Sequence, residues 1–366
     1  MGIPLMDIKA QYVPLRAQID ATIAAVLDGG RFILGPEVSG LEGDISARLN
    51  DRPCVGVANG TDALVIALQA LDVGVGDEVI TTPYTFAATA EVIRYIGAIP
   101  VFVDVDPATA TIDPDAVAAA IGPKTKAIIP VDIFGHPADM PAIMAIAETH
   151  GLAVIEDAAQ SFGAADRGQA VGTVGDIVTF SFFPTKNFPG IGDGGMVVAR
   201  DAALAERVRR LRFHGSKDKV VFEEVGYNSR LDELQAAVAR VFLPQLDTWN
   251  ANRRRAADWY REAGLDRYMT LPAERPGATH VYHLYVARSA DREVIRQALV
   301  GSDIGAAVYY GIPMHLQPVF AHLGYTKGSL PVAEDHADNG LALPMHPHLT
   351  RQQVEQVVTA VASAVG

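Results

Sequence analysis

Lys186 stands where a reactive lysine would stand. It follows the apolar run of TFSFFPTKNFPGIGDGG and precedes a glycine-rich turn, so its amine is expected to emerge at the rim of a sheet. A lysine attacks a carbonyl to form a Schiff base only when its amine is partly neutral, and desolvation or a nearby cation brings this about. The alternative is a solvated loop lysine, the common state of this residue. In VIEDAAQSFGA an apolar run over 153–155 leads into Glu156 and Asp157. A carboxylate at the end of a buried strand stays ionised when it meets a cation, such as a protonated ring nitrogen; otherwise Asp157 reads as a helix N-cap.

VANGTDALVIALQAL holds a strand, a turn at Asn59 and Gly60, and an amphipathic helix with Thr61 and Asp62 in its first turn. The free N–H groups of such a helix start can receive a phosphate, Gly60 allowing close approach and Thr61 adding a hydroxyl. An ordinary capped helix is the alternative, because the spacing is neither a Walker loop nor a GxGxxG fingerprint. Phe86, in TTPYTFAATAEVI, sits at a strand-to-helix junction, where it either lies against an aromatic ring or packs into the core. The histidines are dispersed. His280 and His283 in HVYH fall on a strand pattern without Cys or carboxylate partners, which favours packing and substrate contact, and no metal is expected.

These groups need strand ends to hold them. From about residue 55 to 199 short apolar runs alternate with helix-length segments, the pattern of a largely parallel sheet covered by helices on both faces. Strands are predicted over 54–57, 78–81, 100–105, 127–131, 153–156, 178–182 and 196–199, with ligands gathering at their ends. Helices are predicted over 61–71, 86–96, 113–120, 141–150 and 202–211. Beyond Arg230 a long helical connector follows, which Pro244 kinks or breaks. The remainder offers strands over 280–288 and 305–310 and helices over 292–300 and 350–365. The expected fold is α/β, with a large domain over residues 1–245 holding a seven-stranded, mostly parallel sheet and a smaller C-terminal α+β domain over 246–366.

Thirty Lys and Arg against 43 Asp and Glu give a formal charge of -13, which opposes nucleic acid or an anionic membrane surface as a partner. Anionic ligands must then be held by local groups. Cys54 is the only cysteine, so no intrachain disulfide and no thiolate metal cluster can form, and a cytoplasmic setting is expected. The opening MGIPLMDIKAQYVPLR carries charge early and no long apolar run, and reads as neither signal peptide nor anchor. Arg253, Arg254 and Arg255 read as a solvated helix face.

Taken in order, NGTDAL, PYTFAAT, PVFVDVDP, KAIIPVDIFG, VIEDAAQSFGA, FSFFPTKN with GDGG, GYNSRLDELQAAV, VYYGIPMHLQP and LPMHP resemble the DegT/DnrJ/EryC1/StrS family. These are nucleotide-sugar aminotransferases of pyridoxal-phosphate (PLP) fold type I. The resemblance implies that Lys186 holds PLP as an imine and shuttles protons, that Asp157 pairs with the pyridine nitrogen, and that Phe86 stacks on the ring. It further implies phosphate contacts from Gly60, Thr61 and Ser181, and Gln160 near the phenolic oxygen. Asn228 resembles an asparagine that reaches the phosphate from a neighbouring subunit, so a homodimer with shared sites is expected. Arg230, Tyr309, Tyr310 and His315 match positions near the substrate.

A lysine in PTKN, where the family's dehydratase branch has histidine, favours transamination over a PLP lyase or dehydratase. It also counts against a silent relative used for binding or regulation. A nicotinamide dehydrogenase is disfavoured because no GxGxxG opens a helix after the first strand. GDGG, in place of the TGEGG of members acting at C4, resembles members acting at C3. The implied reaction takes L-glutamate to 2-oxoglutarate and a dTDP- or UDP-linked 3-keto sugar to its amino sugar, a C4-aminating enzyme being the alternative. Phe188-Pro189-Gly190-Ile191 departs from the family pattern, and Pro189 stiffens the loop beside the lysine.

Overall fold

Seven short apolar runs pair into one sheet in a computed structural model that describes residues 2–366. The strands are β1 (Cys54–Val57), β2 (Glu78–Thr81), β3 (Ile99–Phe102), β4 (Thr125–Ile129), β5 (Ala153–Asp157), β6 (Ile177–Ser181) and β7 (Gly195–Ala199). Their spatial order is β1-β7-β6-β5-β4-β2-β3. Strands β3, β2, β4, β5 and β6 pair in parallel, whereas β7 runs antiparallel to both β6 and β1. The register sets Gly195 opposite both Val57 and Ser181, and Asp157 opposite Thr179. Strand ends from distant parts of the chain therefore meet along one rim.

Period-two alternation distributes the apolar side chains between the two faces. Val55, Val57, Ile155, Ile177 and Val197 pack with α4 (Gly60–Ala70), α5 (Ala87–Tyr95) and α8 (Ala202–Leu211). Val178, Phe180, Met196 and Val198 pack with α2 (Arg16–Gly29), α3 (Pro36–Arg48) and α9 (Glu233–Phe242). Ile80, Ile128 and Val154 continue that second face under α6 (Pro114–Ala120) and α7 (Met140–His150). Burying Leu64, Ile66 and Leu68 alone gives α4 about 1.5–3 kcal/mol per side chain in its favour.

The helices before β1, including the short α1 (Ile8–Tyr12), were not expected from the sequence pattern. The signal was present in α3, where Pro36 opens the helix and Val38, Leu41 and Ile45 fall at helical spacing on its buried side. Its N-terminus is closed from a distance. Glu233, 1% exposed at the start of α9, accepts the N–H groups of Gly35 at 2.6 Å, Glu37 at 2.8 Å and Val38 at 2.9 Å.

Pro244 breaks the connector into α9 and α10 (Leu246–Glu262) through a 3-10 turn, Leu243–Gln245. Arg253 departs from the solvated face expected of it. It is 2% exposed, and its guanidinium donates to the carbonyls of Tyr282, His283 and Met345. Helical spacing turns it inward while Arg255 stays exposed.

After α10 the chain forms a two-stranded antiparallel sheet of β8 (Tyr285–Arg288) and β9 (Gly340–Leu343), packed with α10, α11 (Arg292–Gly301) and α13 (Arg351–Val365); α12 (Pro331–Asn339) leads into β9. The strand expected over 305–310 is reduced to one bridge from Ala307 to Ala342. The next residues, Tyr309 and Tyr310, turn toward a cavity, and the four buried residues of β9 take the pairing. Among the described residues no helix is long and apolar enough to cross a membrane.

Candidate active site

Where β1 turns into α4, Asn59 is extended and its Oδ1 accepts the Asp62 N–H at 2.8 Å, while its carbonyl accepts from Ala63 at 3.1 Å. Such a cap contributes about 1 kcal/mol relative to alanine. The Gly60 and Thr61 N–H groups have no acceptor among the described residues and sit at the positive end of the helix dipole. A Cβ on Gly60 would lie 2.8 Å from Ser181 Cβ, and one on Gly195 would lie 2.6 Å from the Asn59 carbonyl oxygen. Two glycines thus let the helix start press against the ends of β6 and β7.

Lys186 lies in the hairpin loop joining β6 to β7, with its N–H on the Phe183 carbonyl at 2.8 Å. The next residue anchors the loop. Asn187 is buried and donates to Asn250 Oδ1 at 2.8 Å and the Val281 carbonyl at 2.9 Å. Phe188 packs against Phe162 and Phe182, and the Gly190 carbonyl accepts the Tyr12 hydroxyl at 2.9 Å. The loop that carries Pro189 is therefore fixed on both sides of the proline.

Burial pulls the Lys186 ammonium down from 10.5 to about 8, and the Asp157 carboxylate opposes this only in part. Asp157 is displaced in the other direction. Burial raises it, while the Thr89 hydroxyl at 2.7 Å, the Ala159 N–H at 3.2 Å and the charge of Lys186 draw it back. The pair thus combines an amine readily made neutral with a buried carboxylate equipped to stay charged.

Gln160 has its orientation set by the backbone. Its Oε1 accepts the Phe134 N–H at 2.8 Å, which turns the amide nitrogen toward the Tyr310 hydroxyl at 3.3 Å. Tyr310 stacks on Phe134 and lies 6.2 Å from Phe86, whose ring is exposed.

These elements enclose a cavity of ≈ 650 Å³ lined by Gly60, Thr61, Phe86, Asp157, Gln160, Ser181, Lys186, Tyr309 and Tyr310, all singled out in the sequence. Three other residues lie elsewhere. His315 is buried with its Nε2 on Glu334 at 3.0 Å, in a packed pair away from the lining. Arg230 lies over the Phe213 ring at 5.7 Å. Asn228 is exposed and bridges Phe213, although the Ser229 hydroxyl beside it accepts the Ala58 N–H at 3.1 Å and so ties this segment to the turn before α4.

Sequence reasoning missed Thr89, although Thr85 and Thr89 stand one helical turn apart and their hydroxyls meet at 2.9 Å. It read His283, with His280, as a packing and substrate-contact residue but left it out of the site residues. His283 lines the cavity, 4% exposed, and burial with the positive charges of Lys186 and Arg253 keeps it neutral.

The lining carries three carboxylates, Asp62, Asp157 and Asp193, against one side-chain cation, Lys186. A planar ligand with a phosphate at one end and a basic ring nitrogen at the other fits this donor set. The free N–H groups of α4 and the Ser181 and Thr61 hydroxyls face one part of it, and Asp157 another. PLP has both groups, so the residues present fit that cofactor. No cluster of three or more His, Cys, Asp or Glu able to hold a metal ion occurs among the described residues.

The model of the DegT/DnrJ/EryC1/StrS aminotransferase family matches residues 14–362. The chain is 49% identical over 365 residues, 99% of its length and 98% of the relative's, to a pleiotropic regulatory protein of Geobacillus stearothermophilus. It is 48% identical to the UDP-N-acetyl-3-dehydro-alpha-D-glucosamine 3-aminotransferase of Acidithiobacillus ferrooxidans, covering 98% of this chain and 97% of that one. Among solved structures, Streptomyces venezuelae DesV in complex with a ketimine intermediate superposes with a TM-score of 0.96 at 44% identity, covering 99% and 98% of the two chains.

Proposed function

Because the chain belongs to the DegT/DnrJ/EryC1/StrS aminotransferase family, we propose that this PLP-dependent nucleotide-sugar transaminase moves the amino group of L-glutamate onto a nucleotide-linked 3-keto sugar. The observation that carries this reading is Lys186, its amine brought down to about 8, in one cavity with Asp157 and the open start of α4. The C3 preference draws on the Gly192-Asp193-Gly194-Gly195 turn and on the 3-aminotransferase from A. ferrooxidans. A UDP-linked sugar is the first substrate to try and a dTDP-linked sugar the second.

When bound, PLP supplies an electron sink for the carbon that loses its proton. The protein's residues do the rest. Gly60 and Thr61 N–H groups, with the Thr61 and Ser181 hydroxyls, hold the phosphate. Asp157 keeps a proton on the ring nitrogen, and the Gln160 amide donates toward the phenolic oxygen. Lys186 Nζ, neutral once free, would take a proton from the donor's α-carbon and return it, across the intervening nitrogen, to the carbon that was the cofactor's aldehyde, acting as base and then acid. Phe86 would stack on the ring, and Tyr309 and Tyr310, which line the same cavity, would lie near the sugar.

With one cation in the lining, an anionic donor and a nucleotide diphosphate need positive charge from outside this chain. A second copy supplies it. The segment before Asn228 and Arg230 projects Val220, Val221, Phe222 and Val225, the last 86% exposed, an apolar surface suited to a partner subunit. In the homodimer Asn228 reaches the partner's phosphate site and Arg230 its substrate.

The test is to incubate the PLP-loaded protein with L-glutamate and either a UDP-linked 3-keto or 4-keto sugar, with Lys186→Ala as control. Mass spectrometry should show the amino sugar from the 3-keto substrate alone. Amination of the 4-keto sugar only would overturn the C3 assignment. Cofactor binding without 2-oxoglutarate formation would shift the reading toward a regulatory protein.

A further inference from the structure

Two buried carboxyl groups outside the cavity have no part in the reading above. Asp132 is 0% and Glu156 1% exposed. Glu156 precedes Asp157 in β5 and so faces the opposite side of the sheet. Asp132 lies just past β4, where its N–H donates to the Asp157 carbonyl at 3.1 Å. Its carboxylate accepts the Ala138 N–H at 2.8 Å and the Ser161 hydroxyl at 2.7 Å.

The two acids differ in the donors they receive. Asp132 receives two short donors, whereas Glu156 has a single long one, the Gly172 N–H at 3.4 Å. Donors stabilise the charged form, so Asp132 is the better held as a carboxylate and Glu156 the more readily protonated. The neighbouring cations are engaged elsewhere. Arg52 donates to the Val174 and Gly175 carbonyls at 2.8 and 2.7 Å, and Arg275 pairs with Asp166 at 2.9 Å. The remaining charged neighbour, Asp157, adds only repulsion. Burial pushes both acids up, Asp132 to about 7 and Glu156 well above its ordinary range.

We infer that Asp132 is a positioning residue that sets Asp157 and Gln160 against the cofactor ring. Asp132 holds Asp157 through its backbone and Ser161 through its carboxylate. The 3-10 turn that follows it, Ile133–Gly135, holds Gln160 through the Phe134 N–H. Both ring-facing groups hang from one residue. Keeping the proton on Glu156 also removes one negative charge from behind Asp157. The inference rests on the reading of Asp157 and Gln160 as PLP contacts.

The proton is tested by the thermal stability of the apo-protein against pH. Glu156→Gln keeps the shape of the side chain but cannot ionise. An acid raised in the folded state contributes most below its ordinary range, and that contribution is lost as pH climbs to the folded value. The variant should therefore gain on the wild type as pH climbs above the ordinary glutamate value of 4.5. A melting-temperature difference that stays flat as pH is raised from there overturns the protonated Glu156.

Positioning is tested by PLP affinity in equilibrium dialysis. Ser161→Ala should weaken binding by about fivefold, and Asp132→Asn, which cannot accept on every side, by more. Unchanged affinity in both overturns the positioning role. Asp157→Asn separates the two levels: if it leaves affinity intact, the reading of Asp157 fails, and if it weakens binding while the other variants do not, only this inference fails.

Discussion

The Thr89 hydroxyl donates to Asp157 Oδ2 at 2.7 Å and is the strongest of the contacts that keep this buried carboxylate charged. It links the first turns of α5 to the end of β5, so the helix that carries Phe86 at its start also conditions the acid across the cavity.

Thr89→Val removes that donor and leaves burial unopposed. Asp157 then moves further upward, and since its charged form is lost as pH falls, the loss of PLP affinity at low pH should begin at a higher pH than in the wild type. At neutral pH binding should weaken by about tenfold, the effect of one hydrogen bond to a charged group. A spectral titration with PLP across pH checks this, with Thr89→Ser restoring the wild-type curve.

Lys186 should capture PLP with a pH dependence of its own. An amine brought down to about 8 is mostly neutral above that pH, so the rate at which apo-protein becomes borohydride-reducible should climb through about pH 8 and then level. A rate still rising toward the ordinary lysine value would show a solvated amine. Lys186→Ala should give no reducible adduct at any pH.

Gly60→Ala places a methyl 2.8 Å from Ser181 Cβ, and overpacking of this kind costs about 1–3 kcal/mol. Because the start of α4 must retreat to relieve it, PLP affinity should fall along with stability. Adding Ser181→Gly should recover stability in part, and a double-mutant cycle of urea unfolding should show coupling between the two sites.

Glu233→Ala leaves the three N–H groups at the start of α3 without their acceptor in a buried setting. A loss of about 2–4 kcal/mol is expected, seen as an earlier urea midpoint. Glu233→Gln, which keeps one carbonyl oxygen, should lose about half as much.

Much of the sheet was legible because its strands are short, mostly buried and bounded by turns, and the helix over 202–211 ends where its apolar spacing ends. The strand at 340–343 was hidden because Gly340-Leu341-Ala342-Leu343 is brief and follows a helix directly, while 305–310 is a strand-length apolar run that spends its last residues on the cavity. Lys186 and Asp157 could be singled out because each stands beside an apolar run. Thr89 could not, since it owes its place to a partner across the fold. The His315 assignment rested on family position, and the geometry instead gives its ring to Glu334.

Gly195 sits between Val57 and Ser181, and Asp157 lies opposite Thr179, so the site is spread along a rim assembled from sequence-distant strands. No contiguous fragment of the chain holds it. A nascent chain cannot engage the cofactor until its long-range pairings have closed, which are the slow contacts of folding. Ligand added to the finished protein then acts on the whole cooperative transition, raising resistance to global unfolding by the mass-action term while leaving early intermediates untouched.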